Sequence, residues 1–456
     1  MIRLSAERLA TAAGAEVVRK GGPGHPARAV TDSRETEPGD LFFGLRGENA
    51  DGGEFAGRTL GAGAWGVVVT PDRARAIYGE GEGWILSAPD PQHSLQRLAT
   101  AWRREIGCPV VGITGSTGKT SVKDICRAIL PFRAHASPEN YNTEIGLPLA
   151  ILSAPEETEV IVLEMAMRGL GQIAELCEVA EPDVGAITNI GPVHLELLGT
   201  LEAIVEAKSE ILEGLRERGR AVVPADAEAL EPHLHDRLVT ITFGAGGDVF
   251  ALRSRVRDGS TLALVGTPAG EQEFRFPFTE AHNLTNALAA IAIGVALDAS
   301  LAEMARRAPE IGFSRLRGEL LELRDGVVIV NDCYNANPIS MRAALDHLAS
   351  LEVRGRRVAV LGEMAELGPQ GPVYHRDAGA HARERRVGPI VGVGELARHY
   401  APDEWVPDAR SAVPVVNGLL ESGDAVLVKG SRAVGLELVS DELAAMRGPR
   451  PPGGRA

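Results

Sequence analysis

The segment GITGSTGKTS, residues 112–121, is the part of the sequence that decides the fold. It follows a short apolar run and precedes Val122, Ile125, Cys126 and Ile129, which are spaced as on one face of a helix. A glycine-rich turn between a strand and a helix presents backbone N–H groups and the helix N-terminus to phosphate oxygens. The segment therefore predicts a nucleotide site made of Gly115, Ser116, Thr117, Gly118, Lys119, Thr120 and Ser121.

Two side chains of this turn have the chemistry that a nucleoside triphosphate needs. The Lys119 amine would neutralise charge on the β- and γ-phosphates, and the Thr120 hydroxyl would face Mg²⁺. The turn departs from the pattern GxxxxGK[ST], because Ile113 stands where that pattern requires its first glycine. The strand–loop–helix context, more than the pattern, separates a nucleotide site from an ordinary glycine-rich turn with a surface lysine.

Apolar runs elsewhere in the chain predict an α/β fold. VIVLEMA, VGAITNI and AVVPAD read as buried strands separated by helical stretches, which indicates a mostly parallel sheet with helices on both faces. From about residue 241 a small antiparallel section is expected, closed by the helix HNLTNALAAIAIGVAL. After residues 313–318, the runs VVIVND, RVAVLGE, PIVGVG and DAVLVKG predict a third, Rossmann-like domain.

These patterns divide the 456 residues into three domains and a tail. Residues 1–107 form a first domain of short strands and turns, residues 108–312 the central domain with the phosphate loop, and residues 313–446 the Rossmann-like domain. The Pro/Gly/Arg-rich residues 447–456 are expected to be disordered.

Composition excludes several classes of protein. The formal net charge of −15 argues against a nucleic-acid-binding protein. The sequence contains no run of about 18 apolar residues that would suggest a membrane span, and the N-terminus lacks the apolar region of a signal peptide. We therefore expect a cytoplasmic protein. The four cysteines are far apart in sequence, which fits reduced core thiols.

Metal-binding candidates follow the ends of predicted strands. Glu164 ends a strand beside the phosphate loop, where a carboxylate can hold Mg²⁺ directly or through water. His194 follows another strand end and is a candidate ligand of a second Mg²⁺. Among 47 Lys and Arg residues only five are lysines, and one of them is Lys208. An arginine-rich chain is expected to keep lysine mainly where a guanidinium cannot substitute for it.

The TGSTGKT turn resembles the phosphate loop of the Mur ligases and the folylpolyglutamate synthases. DSR and PGDLFFGLRG, within residues 32–47, are similar to the UDP-binding segment of the Mur ligases, which implies that Ser33 and Arg34 lie near the uridine diphosphate. AHNLTNALAA, residues 281–290, resembles the family's adenine-side helix and implies roles for Asn283 and Asn286. NYNTEIGLP resembles its substrate-facing loop, with the polar candidates Asn140, Asn142 and Thr143.

Three motifs resemble the family member that adds D-alanyl-D-alanine: EMAMRGLGQI (residues 164–173), NDCYNANPISM (331–341) and LGEMAELG (361–368). The resemblance implies that Arg317 reaches the γ-phosphate on domain closure and that Asp332 faces the ribose. It implies a carbamate on Lys208, formed with CO₂, that helps hold the second Mg²⁺. The substrate-side candidates are Arg168, Tyr334, Asn335 and Asn337, while Lys429 and His375 match without an assigned role.

The resemblance therefore implies an α/β protein with three-domain Mur ligase architecture that uses ATP and Mg²⁺. The expected partners are UDP-N-acetylmuramoyl-tripeptide and D-alanyl-D-alanine, joined through an acyl-phosphate by a monomer. Another Mur-type or folylpolyglutamate-type amide ligase is the alternative enzyme, and a P-loop ATPase without ligase activity is the alternative of another class. The choice between lysine and diaminopimelate as the third residue of the peptide stays open.

Overall fold

The computed structural model describes residues 4–47, 50–138 and 140–449. Their strands form sheets of five, six, three and six strands. Each sheet lies inside one of the predicted domains, and the three larger sheets consist mainly of parallel strands. The α/β prediction is therefore confirmed.

The first domain is a five-stranded sheet with short helices. Its strands are β1 (Glu16–Arg19), β2 (Ala29–Val30), β3 (Leu41–Phe43), β4 (Gly66–Val69) and β5 (Trp84–Ser87), in the order β1-β5-β4-β3-β2 with β1 antiparallel. Its helices are α1 (Ala6–Ala13), α2 (Ala56–Gly61), α3 (Pro71–Ala76) and α4 (Pro91–Ile106). Helix α4 ends at Ile106 and is followed by the capping residue Gly107, whose φ of 71° is the left-handed conformation that favours glycine.

Helix α4 attaches the first domain to the central one. Its buried Leu95, Leu98 and Trp102 belong to a core cluster that continues into the central domain. The Trp102 indole donates a hydrogen bond to Ala154 O at 3.0 Å. Because this core crosses the predicted boundary at residue 107, the first domain packs on the central domain through an extensive apolar contact.

The central domain contains a six-stranded, wholly parallel sheet in the order β11-β10-β9-β6-β8-β7. The strands are β6 (Val110–Thr114), β7 (Ala134–Ala136), β8 (Val160–Glu164), β9 (Val184–Ile187), β10 (Arg220–Pro224) and β11 (Val239–Phe243). The helices are α5 (Lys119–Ile129), α6 (Gly146–Leu152), α7 (Gln172–Ala180), α8 (Leu195–Leu198), α9 (Leu201–Glu213), α10 (Ala281–Ala296) and α11 (Leu301–Arg307). Two core clusters cover the two faces of the sheet.

An antiparallel sheet follows, as predicted, but it begins later than residue 241. It consists of β12 (Phe250–Arg257), β13 (Ser260–Thr267) and β14 (Gly270–Phe276). Residues 239–243 instead form β11, which pairs in parallel with β10 at the edge of the central sheet. The prediction that these residues belong to the antiparallel section was wrong, because a short apolar strand has the same pattern in both kinds of sheet.

The third domain has strands in the order β15-β16-β20-β17-β18-β19, with β15 alone antiparallel among those described. The strands are β15 (Glu319–Glu322), β16 (Val328–Asn331), β17 (Arg357–Gly362), β18 (Ile390–Val393), β19 (Glu404–Val406) and β20 (Ala425–Lys429). The helices are α12 (Pro338–Ser350), α13 (Gly371–Glu384), α14 (Ala409–Leu419) and α15 (Glu437–Arg447), and core clusters lie on both faces. Because β20 lies between β16 and β17, the carboxyl ends of the three strands meet at one edge, where α/β sheets bind ligands.

The predicted tail begins within ordered structure. Arg447 is the last residue of α15, and its guanidinium donates to Asp325 and to the side chain of Asn417. The prediction that disorder begins at residue 447 was therefore wrong for this arginine, because its hydrogen bonds hold the end of the helix. The rest of the tail from residue 450 lies outside the described residues. Among the described helices, none combines the length and the apolar character that crossing a membrane requires.

Candidate active site

The phosphate loop joins β6 to α5 and contains two glycines with positive φ angles. Gly115 has φ 146° and Gly118 has φ 81°. A Cβ atom on Gly118 would lie 2.5 Å from Asn286 Oδ1, so helix α10 packs directly on the loop. The apolar face of α5 is buried at all four predicted positions. The predicted strand–loop–helix unit is thus present.

The end of strand β9 holds the loop in shape. The Thr117 N–H donates to Asn189 Oδ1 at 2.8 Å, and the Ser116 N–H donates to Asn189 O at 3.1 Å. The Ser116 hydroxyl donates to Gly191 O at 3.0 Å. Sequence reasoning missed Asn189, although its place directly after a buried strand was a usable signal.

Lys119 folds back over the loop that precedes it. Its Nζ donates to Gly115 O at 2.8 Å. Burial lowers the pKa of Lys119; Glu164 opposes this shift, and Arg317 adds to it. A cation in this environment gains from an anionic neighbour, because bound phosphate would replace the water that burial removes.

Thr120 and Glu164 form a compact oxygen pair beside Lys119. The Thr120 hydroxyl donates to Glu164 Oε2 at 2.8 Å, and Asn142 Nδ2 donates to Glu164 Oε1 at 3.0 Å. Glu164 is 3% exposed at the end of β8. A hydroxyl and a carboxylate suit Mg²⁺, which usually binds one or two protein oxygens together with phosphates and water. The described residues contain no cluster of three or more His, Cys, Asp or Glu side chains that could hold a metal alone.

His194 and Lys208 are the predicted groups of the second metal position. His194 lines the cleft and lies in the left-handed conformation at φ 54°, and its ring Nδ1 pairs with Glu366 Oε2 of the third domain. Lys208 is 2% exposed in α9. Burial, with nearby Lys119, holds the pKa of Lys208 well below its usual value. Lys208 is not among the residues that line the cleft, and within the described residues no carboxylate pairs with it.

The third domain contributes Arg317 to the same site. Its Nη2 donates to Thr120 Oγ1 at 3.1 Å, and its guanidinium lies 3.9 Å from the centre of the Tyr334 ring. The Arg317 Nε is buried without a hydrogen-bond partner among the described residues. Asn337 caps helix α12 and also approaches Ser116 O at 3.4 Å. Two third-domain side chains thus contact the phosphate loop.

Lys429 and His375, which had no assigned role, both support loops of the third domain. Lys429, 1% exposed at the end of β20, donates to Asp332 Oδ2 at 2.6 Å and to Asn335 O at 2.9 Å. The pairing holds the Asp332 carboxylate at the rim of the cleft. His375 is fully buried and accepts the Met364 N–H at 3.0 Å.

Most of the predicted side chains line one cleft of about 920 Å³ between the central and third domains. They are Ser116, Thr117, Gly118, Lys119, Thr120, Ser121, Asn142, Thr143, Glu164, Arg168, His194, Asn283, Asn286, Arg317, Asp332, Tyr334, Asn335 and Asn337. Gly115 lies at the start of the same loop, while Asn140 is outside the cleft lining. Glu280, His282 and His347 also line the cleft and were missed.

Ser33 and Arg34 lie in the first domain, apart from the residues that line the cleft. The Ser33 hydroxyl accepts a hydrogen bond from Arg58 Nη2 at 2.8 Å. Arg34 pairs with Asp32 at 2.6 Å, and its side chain is 83% exposed. The Arg34 guanidinium holds the pKa of Asp32 at about 2. This exposed pair of arginines is a separate place where an anionic group could bind.

Comparisons with known proteins agree with this arrangement. Residues 113–294 match the Mur ligase middle domain, and residues 316–432 match the family described as Mur ligase, glutamate ligase domain. A UDP-N-acetylmuramoyl-tripeptide–D-alanyl-D-alanine ligase of Bacillus subtilis (strain 168) is 35% identical over 428 residues, which are 91% of this chain and 92% of that protein.

Two solved structures are also similar over most of their length. MurF from Acinetobacter baumannii is 29% identical with a TM-score of 0.87, covering 97% of this chain and 99% of that one. MurF ligase from Thermotoga maritima, in complex with ADP, is 30% identical with a TM-score of 0.78, covering 92% and 97%. With its three parallel-sheet domains and its phosphate-loop cleft, the chain belongs to the Mur ligase family of ATP-dependent amide-bond-forming ligases.

Proposed function

We propose that this chain joins D-alanyl-D-alanine to UDP-N-acetylmuramoyl-tripeptide with ATP, forming UDP-N-acetylmuramoyl-pentapeptide for peptidoglycan synthesis. The observation that carries the proposal is the contact of Arg317, from the third domain, with Thr120 of the phosphate loop. It supports a site that is completed when the two domains meet around ATP. The name of the Bacillus relative supports the choice of acceptor, and the complex of the Thermotoga structure with ADP supports the use of ATP.

The first step activates the terminal carboxylate of the tripeptide. One carboxylate oxygen attacks the γ-phosphorus of ATP, the bond between that phosphorus and the β,γ-bridging oxygen breaks, and ADP leaves. Phosphoryl transfer of this kind depends mainly on positioning and charge neutralisation. Lys119 and Arg317 supply positive charge, while the loop N–H groups, braced by Asn189, fix the phosphates.

The second step forms the amide. The free α-amine of D-alanyl-D-alanine attacks the acyl carbon, the acyl–oxygen bond breaks, and inorganic phosphate leaves with the former carboxylate oxygen. The amine loses a proton in this step, and an oxygen of the departing phosphate can accept it. Closure of the cleft excludes water, which would otherwise hydrolyse the acyl-phosphate. Arg168, Tyr334, Asn335 and Asn337 are proposed to position the peptide substrates from the cleft walls.

Mg²⁺ fits the oxygen pair of Thr120 and Glu164, and when bound it would neutralise phosphate charge. A second ion would lie near His194 and a Lys208 carbamate. The support for the carbamate is the burial of the Lys208 amine at 2% exposure, because a carbamate requires a primary amine and a buried ammonium is costly. Asn283, Asn286 and Asp332 are proposed to hold the adenosine.

The three domains are proposed to divide the substrates among them. The first domain binds the UDP group near Ser33 and Arg34, the central domain binds ATP, and the third binds the dipeptide. We expect rigid-body movement of the third domain during the cycle, and scattering profiles that are identical with and without ATP and UDP-substrate would contradict it. The molecular mass obtained from the same profiles tests the proposal that the protein is a monomer. Its substrates and ATP favour a cytoplasmic location.

A product assay tests the reaction directly. Purified protein, ATP, Mg²⁺, UDP-muramoyl-tripeptide and D-alanyl-D-alanine are incubated, and mass spectrometry follows the tripeptide and pentapeptide nucleotides. We expect the pentapeptide mass only when all components are present. Parallel reactions with a folylglutamate as the carboxylate substrate and glutamate as the acceptor separate this function from that of a folate-type ligase. ATP hydrolysis that is independent of any acceptor would contradict a ligase.

A further inference from the structure

A loop of the third domain, residues 363–368, contacts the turn of the central domain that carries His194. The His194 ring Nδ1 pairs with Glu366 Oε2, and Glu366 O accepts the Glu196 N–H at 3.2 Å. Gly368 packs so closely that an added Cβ would lie 3.3 Å from the Glu196 Cα. Side chain and backbone both take part, so this is a specific contact between the two domains.

Both partners of the central hydrogen bond have an unusual backbone. His194 has φ 54° and Glu366 has φ 60°, a left-handed region that is uncommon for residues other than glycine, although histidine adopts it more often than glutamate does. Such conformations concentrate at functional sites, where the surrounding structure maintains them. Two of them meeting across a domain interface indicate that the direction of these side chains matters.

The rest of the third domain holds the Glu366 loop rigidly. The Met364 N–H donates to His375 Nε2 at 3.0 Å, so the proton of that buried ring is on Nδ1, which donates to Gly371 O at 2.7 Å. The Ala365 N–H donates to Ser431 Oγ at 2.9 Å. A loop with these supports delivers the Glu366 carboxylate to a fixed position whenever the domains meet.

Within the described residues, Glu366 is the hydrogen-bond partner of the His194 ring, so Nε2 remains available to the cleft. A carboxylate on one imidazole nitrogen fixes the ring and its tautomer and strengthens the other nitrogen as a ligand. We propose that Glu366 is a positioning residue that fixes the His194 ring when the third domain docks, and so couples domain closure to metal binding. The inference rests on the proposed function, in which His194 faces the second ion.

Arg168 gives Glu366 a second neighbour. Its Nη2 lies 3.6 Å from Glu366 Oε1, and its side chain is 73% exposed at the edge of the cleft. At that exposure and distance, the ion pair holds the carboxylate weakly. The two oxygens of Glu366 thus face different groups, His194 on one side and a proposed substrate residue on the other.

The test counts metal ions without turnover. Full-length wild type, Glu366→Ala, Glu366→Gln and the control Glu395→Gln are titrated with Mn²⁺ in the presence of a non-hydrolysable ATP analogue, and free Mn²⁺ is measured by electron paramagnetic resonance. Glu395 belongs to the same domain, and its side chain is 78% exposed in a pair with Arg398. The affinity of each variant for the analogue is also measured in EDTA.

We expect Glu366→Ala to weaken the second Mn²⁺ by about 10- to 100-fold and to leave metal-free analogue binding unchanged. Glu366→Gln, whose amide oxygen can still accept a hydrogen bond from the Nδ1–H of His194, should lie between Glu366→Ala and wild type, and Glu395→Gln should match wild type. If Glu366→Ala does not fold, Glu366→Gln carries the test.

Unchanged Mn²⁺ binding in both Glu366 variants would overturn the inference. An equal loss of analogue affinity in EDTA would overturn it too, since Glu366 would then act on docking alone. A wild type that binds one Mn²⁺ and makes no pentapeptide would refute the proposed reaction and this inference together. Binding of two Mn²⁺ without pentapeptide formation would refute the reaction only.

Discussion

Removing the Arg317 guanidinium should slow the reaction far more than it weakens ATP binding. In the structure this group touches Thr120 Oγ1 at 3.1 Å and stacks on Tyr334 at 3.9 Å, so its charge is directed at the phosphate loop. Removing one preorganised group that stabilises transition-state charge costs about 3 kcal/mol, which is about 10²-fold in rate. Arg317→Lys keeps the charge but loses the planar stacking, so its rate should lie between those of wild type and Arg317→Ala.

The Tyr334 ring should contribute through the arginine that it holds. A partly desolvated cation–π contact is worth about 1–2 kcal/mol, so Tyr334→Leu should reduce the rate by about 5- to 30-fold. Because both residues act on the same group, the double variant should be little slower than Arg317→Ala alone. The assay is single-turnover formation of ADP at saturating ATP, with the Kd for ATP measured separately.

Arg398 offers a matched control. Its guanidinium stacks on Trp405 at 3.4 Å in the same domain, and neither residue lines the cleft. Arg398→Ala should therefore leave the single-turnover rate unchanged. A folded Arg317→Ala protein with a rate within about threefold of wild type would refute the assignment of Arg317 to the reacting phosphate, since the expected effect is about 10²-fold.

Three further changes have defined outcomes. Lys429→Met should lower the free energy of unfolding by about 2 kcal/mol in denaturant titration, because it removes a buried partner from Asp332, which is only 21% exposed. The same change should raise the KM for ATP, and an unchanged KM would contradict the ribose-side role of Asp332. Gly118→Ala should weaken ATP binding about tenfold or more in calorimetry, since φ is 81° and the new Cβ would lie 2.5 Å from Asn286 Oδ1. Burial raises the pKa of Asp424, but hydrogen bonds from the Arg356 guanidinium and from the backbone N–H groups of Glu421 and Arg356 outweigh burial and hold the pKa below 3.8. The stability that Asp424 contributes is therefore present above pH 3.8 and is lost as the pH falls through the lower pKa of the folded state. Asp424→Asn should cost about 2 kcal/mol of the free energy of unfolding at pH 7. A difference between wild type and Asp424→Asn that does not shrink in acid would contradict this.

Local signals were sufficient for the phosphate loop and for the main strands. The apolar residues of α5 are buried where their helical spacing predicts, because a single amphipathic helix determines its own buried face. The strand-end residues Glu164 and Asp332 also reach the cleft, because parallel strands end at a common edge.

Other features arise only from tertiary packing. The hydrogen bond between Thr117 and Asn189 joins residues 72 apart, and that between His194 and Glu366 joins residues 172 apart. No spacing in the sequence predicts such pairs. The burial of Lys208 is equally hidden, because a lysine in an amphipathic helix is usually exposed to solvent.

The measurement that tests the acyl-phosphate mechanism most directly follows one oxygen atom. UDP-muramoyl-tripeptide labelled with ¹⁸O at both oxygens of its terminal carboxylate is converted with ATP and D-alanyl-D-alanine, and the released phosphate is analysed by mass spectrometry. If the cleft activates the carboxylate by phosphoryl transfer, each phosphate carries one ¹⁸O atom from the peptide. Pentapeptide formation with phosphate that contains no ¹⁸O would contradict the mechanism.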